Sequence, residues 1–413
     1  MSNFITKEFE PTSSAAWKQK IQMDLKGADY NDTLLTETIE GITIKPFYHA
    51  DQFEKLEVPE LSENFKIAQN IAVTNEKEAC DKALACVSTG VDALVFLADQ
   101  PFDIESLMRD LLDNDLCFHF QLIFFEVEFI NKLLTFLKEE KVYVNLDCIG
   151  QLCRTGNWFT DMECDLKKMN QLVNEHSDKH VLSVKMNVYQ DAGANSVQQI
   201  AYTLAHLNEY LNRFNDIKNC KLQIQLNVGS HFFFEIAKIR ALRYLITELL
   251  AQFGLKPDFK LFAEPGIRNK TLYDYNVNLL RTSSECMSAS LGGADTIANQ
   301  SYDHLFHESN AFGERIARNQ LLILKEESYF NSTLNAAKDS YYVETITKQM
   351  AEKALALFKN IEASGGFLKQ LINGTIQRKI KENAAKEQAL FDSGELVLLG
   401  SNKFPNEQDT ICL

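Results

Sequence analysis

The sequence predicts an α/β protein folded as a closed (β/α)8 barrel of the TIM type, with an N-terminal arm before the barrel and helices after it. Three observations carry this. Eight short apolar runs recur between residues 67 and 298, and parallel strands buried on both faces read as solid apolar runs rather than alternating ones. Helical stretches separate the runs, the pattern of repeated βαβ units. The chain has no G-x-G-x-x-G turn and no P-loop, so an open doubly wound sheet ranks second. Eight repeats close a barrel.

The elements follow in order. Ala15–Leu25 has helical periodicity, with Trp17, Ile21 and Leu25 on one face, Ser13 or Ser14 as cap, and Gly27 as its end. The stretch TLLTETIEGITIKPFY then alternates Thr43, Lys45 and Phe47 with Ile42, Ile44 and Pro46, which predicts a short hairpin leading into an extended arm. Strands are predicted at Ile67–Val73, Ala93–Ala98, Cys117–Phe124, Val142–Asp147, Val181–Asn187, Leu222–Asn227, Phe259–Ala263 and Thr296–Ala298. Helices are predicted at Asn75–Ser88, Ile104–Leu112, Glu128–Glu139, Asp161–Glu175, Ser196–Arg213, Phe232–Phe253, Tyr273–Ser290 and Ala311–Leu324. Two more, Val343–Ile361 and Leu368–Leu390, follow before a short LVLLGSNKFPN segment. The expected organisation is an arm over residues 1–66, a barrel over 67–340, and C-terminal helices with a tail over 341–413.

Composition narrows the function classes. The 413 residues carry a formal net charge of -15, which argues against a general nucleic-acid or anionic-membrane binder, since both need clustered Lys and Arg. No run approaches the length of a membrane span, and MSNFITKEFEPTSS has neither an apolar signal core nor the arginine-rich look of a transit peptide. The nine cysteines, at 80, 86, 117, 148, 153, 164, 220, 286 and 412, show no CxxC spacing. They read as free thiols in a reducing, cytoplasmic setting, with no zinc site.

Barrel enzymes carry their chemistry at the C-terminal strand ends. Here those ends offer Asp99, Glu126, Asp147, Asn187, Asn227, Glu264 and Asn299. Three are asparagines, which cannot act as acids or bases, so a solvated polar rim is expected over a catalytic site. Asp147 with Glu264 is the one candidate carboxylate pair. His231 is a candidate base, although a histidine there more often packs at a helix start. His304 and His307, three apart, could share a helix face, but a metal would need a third ligand. Gly292–Gly293 and Gly365–Gly366 supply tight backbone at helix ends. Arg315 and Arg318 share a helical face. They suit an anion or subunit contact, or salt bridges with acids such as Glu314.

Six stretches together resemble the methylmalonyl-CoA mutase family. They are GITIKPFY (41–48), QDAGANSVQQIAYTLA (190–205), FFFEIAKIRALR (232–243), YDYNVNLLRTSSECMSASLGGADTI (273–297), FGERIARNQLLILKEES (312–328) and DSYYVETIT (339–347). Their order and spacing match from about residue 15 to about residue 390. The resemblance implies an acyl-CoA-binding barrel with a separate cobalamin-binding domain. It also implies interconversion of methylmalonyl-CoA and succinyl-CoA by adenosylcobalamin radicals, with the protein binding, orienting and shielding.

The departures point to one kind of member. Catalytic members carry a Tyr-His pair just before the acidic-AGA stretch that matches Asp191–Ala194, and here Asn187 and Val188 stand in those positions. Valine can neither donate a proton nor hydrogen-bond a carbonyl. Catalytic members also carry an arginine- and aromatic-rich approach to the first strand, where this chain reads SENFKIAQNIAV, without arginine or tyrosine. The cobalamin signature, an aspartate and a histidine two apart and then a glycine, is missing; Asp303 and His304 are adjacent. The expectation is a small, non-catalytic subunit that binds no cofactor or metal itself, with adenosylcobalamin on a catalytic large subunit as its heterodimer partner. Small subunits of this kind usually keep a degenerate second domain, so the short C-terminus departs from them too. A catalytic barrel with a separate cobalamin chain and a stand-alone acyl-CoA-binding protein are the alternatives. The arm, with Trp17, Ile21, Leu25 and Phe47, is expected to wrap the partner; folding back on its own barrel is nearly as well supported.

Overall fold

A computed structural model describes residues 11–61, 63–112, 114–214, 221–307 and 310–406. Cys220, Cys412 and the first ten residues, which bear on the thiol and signal-peptide readings, lie outside the described residues. Eight parallel strands close into a barrel, as the apolar runs predict. They are β1 (Lys66–Ala72), β2 (Ala93–Ala98), β3 (Cys117–Leu122), β4 (Lys141–Leu146), β5 (His180–Lys185), β6 (Lys221–Val228), β7 (Asp258–Pro265) and β8 (Thr296–Ala298). The three-residue β8 closes the ring by pairing with both β1 and β7. A register irregularity lies between Tyr143 and Leu146, where β4 meets β5.

The arm begins with α1 (Ser14–Asp24), capped by Ser13, whose side chain accepts from the Ala16 amide. The hairpin forms between Thr36–Glu37 and Thr43–Ile44. The barrel helices are α2 (Glu76–Val87), α3 (Ile104–Met108), α4 (Val127–Phe136), α5 (Met162–Glu175), α6 (Ser196–Arg213), α7 (Phe232–Gln252), α8 (Asn278–Gly292) and α9 (Ala311–Leu322). After them, α10 (Tyr341–Ala363) crosses α6 and α7, and α11 (Phe367–Ile372) and α12 (Thr375–Ser393) follow.

Four expectations are corrected. The helix expected from Tyr273 starts at Asn278, because Asp274 adopts left-handed backbone and a short turn, Tyr275–Val277, precedes it. The helix expected over 368–390 is two helices, interrupted where Gly374 takes φ +73°. Strand β5 ends at Lys185, so Asn187 opens a one-turn helix, Asn187–Asp191, instead of ending a strand. The loop after β4 holds a helix, Cys148–Thr155, capped by Asp147 and stopped by Gly156.

The arm divides in two. Its second half folds back on α10: Tyr48 and Phe53 meet Tyr342 and Tyr341, each with ring centres 5.0 Å apart, and Glu54 pairs with Lys348. Its first half does not. Trp17 is 49% exposed and Met23 75%, and the Trp17 ring meets Phe47 edge-on with centres 6.2 Å apart.

Barrels of this class fill their interiors mainly with branched apolar side chains. This interior is more polar and is blocked by rings. His119 stacks on Tyr143 at 4.4 Å and leans on Phe262 at 5.2 Å; Tyr143 in turn meets His180 at 4.5 Å. Ala68, Ala93, Val95, Cys117 and Ala298 pack around these rings as an apolar cluster separate from the outer core. The His119 Nδ1 lies 3.3 Å from the Gln223 amide nitrogen, and burial pushes its pKa down to about 3.

That shift has a testable consequence. The folded pKa lies below the unfolded value of 6.5, so between the two the unfolded chain binds the extra proton and stability falls as pH falls. The loss is roughly 1.4 kcal/mol per pH unit. Urea melts at about pH 7.5 and about pH 5.0 should show the wild type losing about 2 kcal/mol more than His119→Gln. Equal losses would mean that the ring stack is open to water.

Candidate functional site at the C-terminal face

The strand ends bring only some of the candidate residues together. Asp99 and Glu126 are exposed on the rim. Above the ring stack, Asn70 donates to Glu264 at 2.8 Å, and Asn227 donates to Asp191 at 2.8 Å. Burial raises the pKa of both carboxyl groups, and Asp191 raises that of Glu264 further. Asn70 and Glu264 line a polar well with Gln121, Asn299, Ser301 and His304. The cation on its wall, Lys82, is bound to Glu314 at 2.6 Å. Among the described residues lining the well there is no arginine and no tyrosine. The well suits neutral or cationic polar groups and offers no fork to clamp a carboxylate.

Asp147 does not join Glu264. Its Oδ1 accepts from Tyr210 at 2.7 Å, His206 Nε2 at 2.9 Å and the Gly150 amide at 2.7 Å, while Oδ2 accepts from the Lys185 amide at 2.7 Å. Burial works to raise its pKa, and His206 with the amides holds it below the ordinary carboxylate value. These bonds make Asp147 a buried cap that ties α6 to the barrel, and the expected carboxylate pair is not formed.

Asn187 and Val188 stand apart from the well. The Asn187 side chain accepts from the Val188 amide at 3.1 Å. Val188 lines an apolar recess with Cys153, Leu371, Ile376 and Ile380, beneath α11 and α12.

The strongest polar construction on this face is one that the strand-end inventory missed. Lys238, fully buried on α7, pairs with Glu235 Oε2 at 2.5 Å. Its ammonium also donates to Gln199 Oε1 at 3.1 Å, Gln190 Oε1 at 3.3 Å and the Asn227 carbonyl at 2.8 Å. It thereby joins the ends of β5 and β6 to α6. Two residues on, buried Arg240 pairs with Glu344 of α10, and further along α7 Arg243 holds Asp295 at 2.6 Å and the Gly293 carbonyl at 2.7 Å. The signal was present in FFFEIAKIRALR, where four charges interrupt an apolar helix, because a buried charge must be paired.

The remaining candidates are local. His231 leans on Phe234, with ring centres 4.1 Å apart and planes tilted by 40°, at the start of α7. His307 leans on Asp303 at 3.5 Å, and no metal-holding group of three His, Cys, Asp or Glu side chains exists among the described residues. Gly293, Gly365 and Gly366 take positive φ at helix ends. Arg318 donates to Gln69 at 3.2 Å, while Arg315 lies over the Phe312 ring at 5.7 Å. Seven cysteines are free thiols. No helix among the described residues is long and apolar enough to cross a membrane.

Helix α12 closes one side of this face over the loop at Asp191–Ala194. Asn383 donates to the Gly193 carbonyl at 2.8 Å, and Arg268 pairs with Glu387 at 2.5 Å. Gly193 has φ +101°, and a Cβ there would lie 2.6 Å from the Ala384 Cβ. Gly193→Ala should therefore cost about 2–4 kcal/mol, backbone strain plus overpacking. Gly254→Ala, at φ +68° with nothing within 4 Å, should cost about 1–2 kcal/mol. Equal costs in denaturant melts would show that α12 yields freely at this contact.

The family model described as methylmalonyl-CoA mutase matches residues 139–412. The methylmalonyl-CoA mutase small subunit of Porphyromonas gingivalis is 31% identical over 443 residues, covering 97% of this chain and 71% of that protein. The methylmalonyl-CoA mutase of Cereibacter sphaeroides is 37% identical over 227 residues, covering 52% of this chain and 32% of that protein. That of Escherichia coli is 33% identical over 225 residues, covering 52% of this chain and 31% of that protein. The match to the last two thus spans about a third of their length. With the barrel formed and these matches running through most of its residues, the chain belongs to the methylmalonyl-CoA mutase family.

Proposed function

We propose that this chain is the small, non-catalytic subunit of an adenosylcobalamin-dependent methylmalonyl-CoA mutase. It pairs with a large subunit that carries both the cofactor and the chemistry. The observation that carries this reading is the ring stack of His119, Tyr143 and Phe262 across the barrel axis. A site for an acyl thioester needs an open approach and donors for its carboxylate and carbonyl. The axis is filled, the well above it has no arginine or tyrosine on its lining and its one lysine is paired with Glu314, and Asn187 and Val188 stand where the resemblance puts the family's Tyr-His pair. The similarity to a small subunit over 97% of the chain supports the same reading.

His119, His206 and His304 do not fit the cofactor. His206 is bound on both ring nitrogens, to Tyr189 and Asp147, and His119 is sealed inside the barrel. His304 follows Asp303 directly and lacks the spacing of a lower axial ligand. No reaction step is assigned to this chain.

What it offers a partner is surface. Trp17 and Met23 of α1 are exposed to solvent, while the second half of the arm is pinned to α10. Burying one such side chain contributes roughly 1.5–3 kcal/mol, so α1 is the assembly element in this account.

Purified alone with adenosylcobalamin and methylmalonyl-CoA, the chain should form no succinyl-CoA. Co-expressed with a large subunit it should give an active heterodimer. Trp17→Ala with Met23→Ala should weaken that heterodimer by about tenfold or more, in line with the loss of two buried side chains, without changing the melting temperature of the isolated chain. Turnover by the lone chain would overturn the non-catalytic reading. Undiminished assembly of the double variant would remove α1 from the interface.

A further inference from the structure

A second polar cavity lies off the barrel axis, between the loops after β5, β6 and β7. Helix α12 walls one side, and the hairpin tip at Ile39 and Glu40 roofs it. Its volume is about 140 Å³, close to the roughly 150 Å³ of a cavity that holds one benzene ring. Two side chains on its floor, Gln190 and Glu235, are more than nine-tenths buried.

Lys238 sets the orientation of both. An ammonium can only donate, so the Gln190 oxygen faces Lys238 and its NH2 group faces the cavity. Glu235 gives Oε2 to the same lysine, which leaves Oε1 turned the other way. Neither Gln190 Nε2 nor Glu235 Oε1 has a hydrogen-bond partner among the described residues. The two converge beside Gly229, where an added Cβ would lie 3.3 Å from each. A fixed donor and a fixed acceptor, on two side chains that are otherwise buried, thus stand side by side over an open spot, and a ligand with a matching acceptor and donor would answer both.

We propose that this cavity binds a small molecule bearing a primary carboxamide on a ring. The ligand's carbonyl would accept from Gln190 Nε2, and its NH2 would donate to Glu235 Oε1. A carboxylate ligand is repelled by Glu235, and a simple amine leaves Gln190 unanswered. The carboxamide would take the floor of the cavity and the ring would lie toward His231 and Ile39, partly outside the enclosed volume. The Arg268–Glu387 ion pair stands at the edge of this cavity and would border the bound molecule. The site is separate from the well above the ring stack and does not depend on the subunit role.

Calorimetric titration of the full chain with nicotinamide, N,N-dimethylnicotinamide and nicotinate tests this. Nicotinamide should bind saturably in the millimolar range. The dimethyl amide, which has no N–H, and the carboxylate should each bind about tenfold more weakly or worse, the cost of an unmade buried hydrogen bond. Gly229→Ala places a methyl group between the two polar atoms. Gly229 has no positive φ, but a Cβ 3.3 Å from both polar atoms makes them give way slightly, so the variant should fold with a modestly lowered melting temperature and lose nicotinamide binding. Equal affinity for all three compounds, no saturable nicotinamide binding, or unchanged binding by folded Gly229→Ala would each overturn the proposal. The three-ligand series on the unmodified chain stands as a test even if the variant fails to fold.

Discussion

A closed sheet of eight strands leaves an axis that must be filled or wetted, and the way this chain fills it governs what the molecule can do. Strand β3 contributes His119, β4 Tyr143 and β7 Phe262, and the three rings meet face to face or at a tilt across the interior. Small residues around them, Ala68, Ala93 and Ala298, make room for the rings. An imidazole in such a place must stay neutral, and burial holds it so. The same stack that completes the core divides the interior, with a polar well above it. A family fold associated with acyl-CoA chemistry is here closed along its axis.

The second constraint is the set of buried cations on α7. Lys238, Arg240 and Arg243 each reach a different part of the molecule: the loops after β5 and β6, helix α10, and the turn before β8. Breaking a buried pair leaves a charge without compensation, which is far more costly than losing a surface contact. The Lys238 pair therefore holds the loops after β5 and β6 in one arrangement, while Arg240 and Arg243 fix α7 to α10 and to the opposite end of β8. Lys238 also turns Gln190 and Glu235 so that each presents its other polar atom to a cavity. One structural residue thus accounts for the rigidity of the face and for its sharpest polar feature.

Much of the fold was legible because the barrel strands are buried on both sides. Ala93–Ala98 and Thr296–Ala298 have the predicted limits, as does the helix Ser196–Arg213, whose capping box joins Asn195 and Gln198. The shortest elements were not legible. Helix Cys148–Thr155 had its stop and start written in Asp147 and Gly156, but eight residues carry too little periodicity to stand out from a loop. The break at Gly374 was hidden because the apolar spacing continues across it. The site was less legible than the fold. Strand-end position alone put Asp147 beside Glu264, whereas the pleat and the helix cap send Asp147 outward to His206 and Tyr210. Nor could spacing reveal that three interior rings from separate strands meet, since that contact depends on barrel register.

The measurement that bears most directly on this account is calorimetric titration of the isolated chain with methylmalonyl-CoA, repeated on Phe262→Ala. A barrel plugged by His119, Tyr143 and Phe262 predicts no saturable heat for the wild-type chain, and at most weak binding once the Phe262 ring is removed. Stoichiometric, micromolar binding to the wild-type chain would contradict it, because a thioester could then enter a barrel whose axis the rings were held to close.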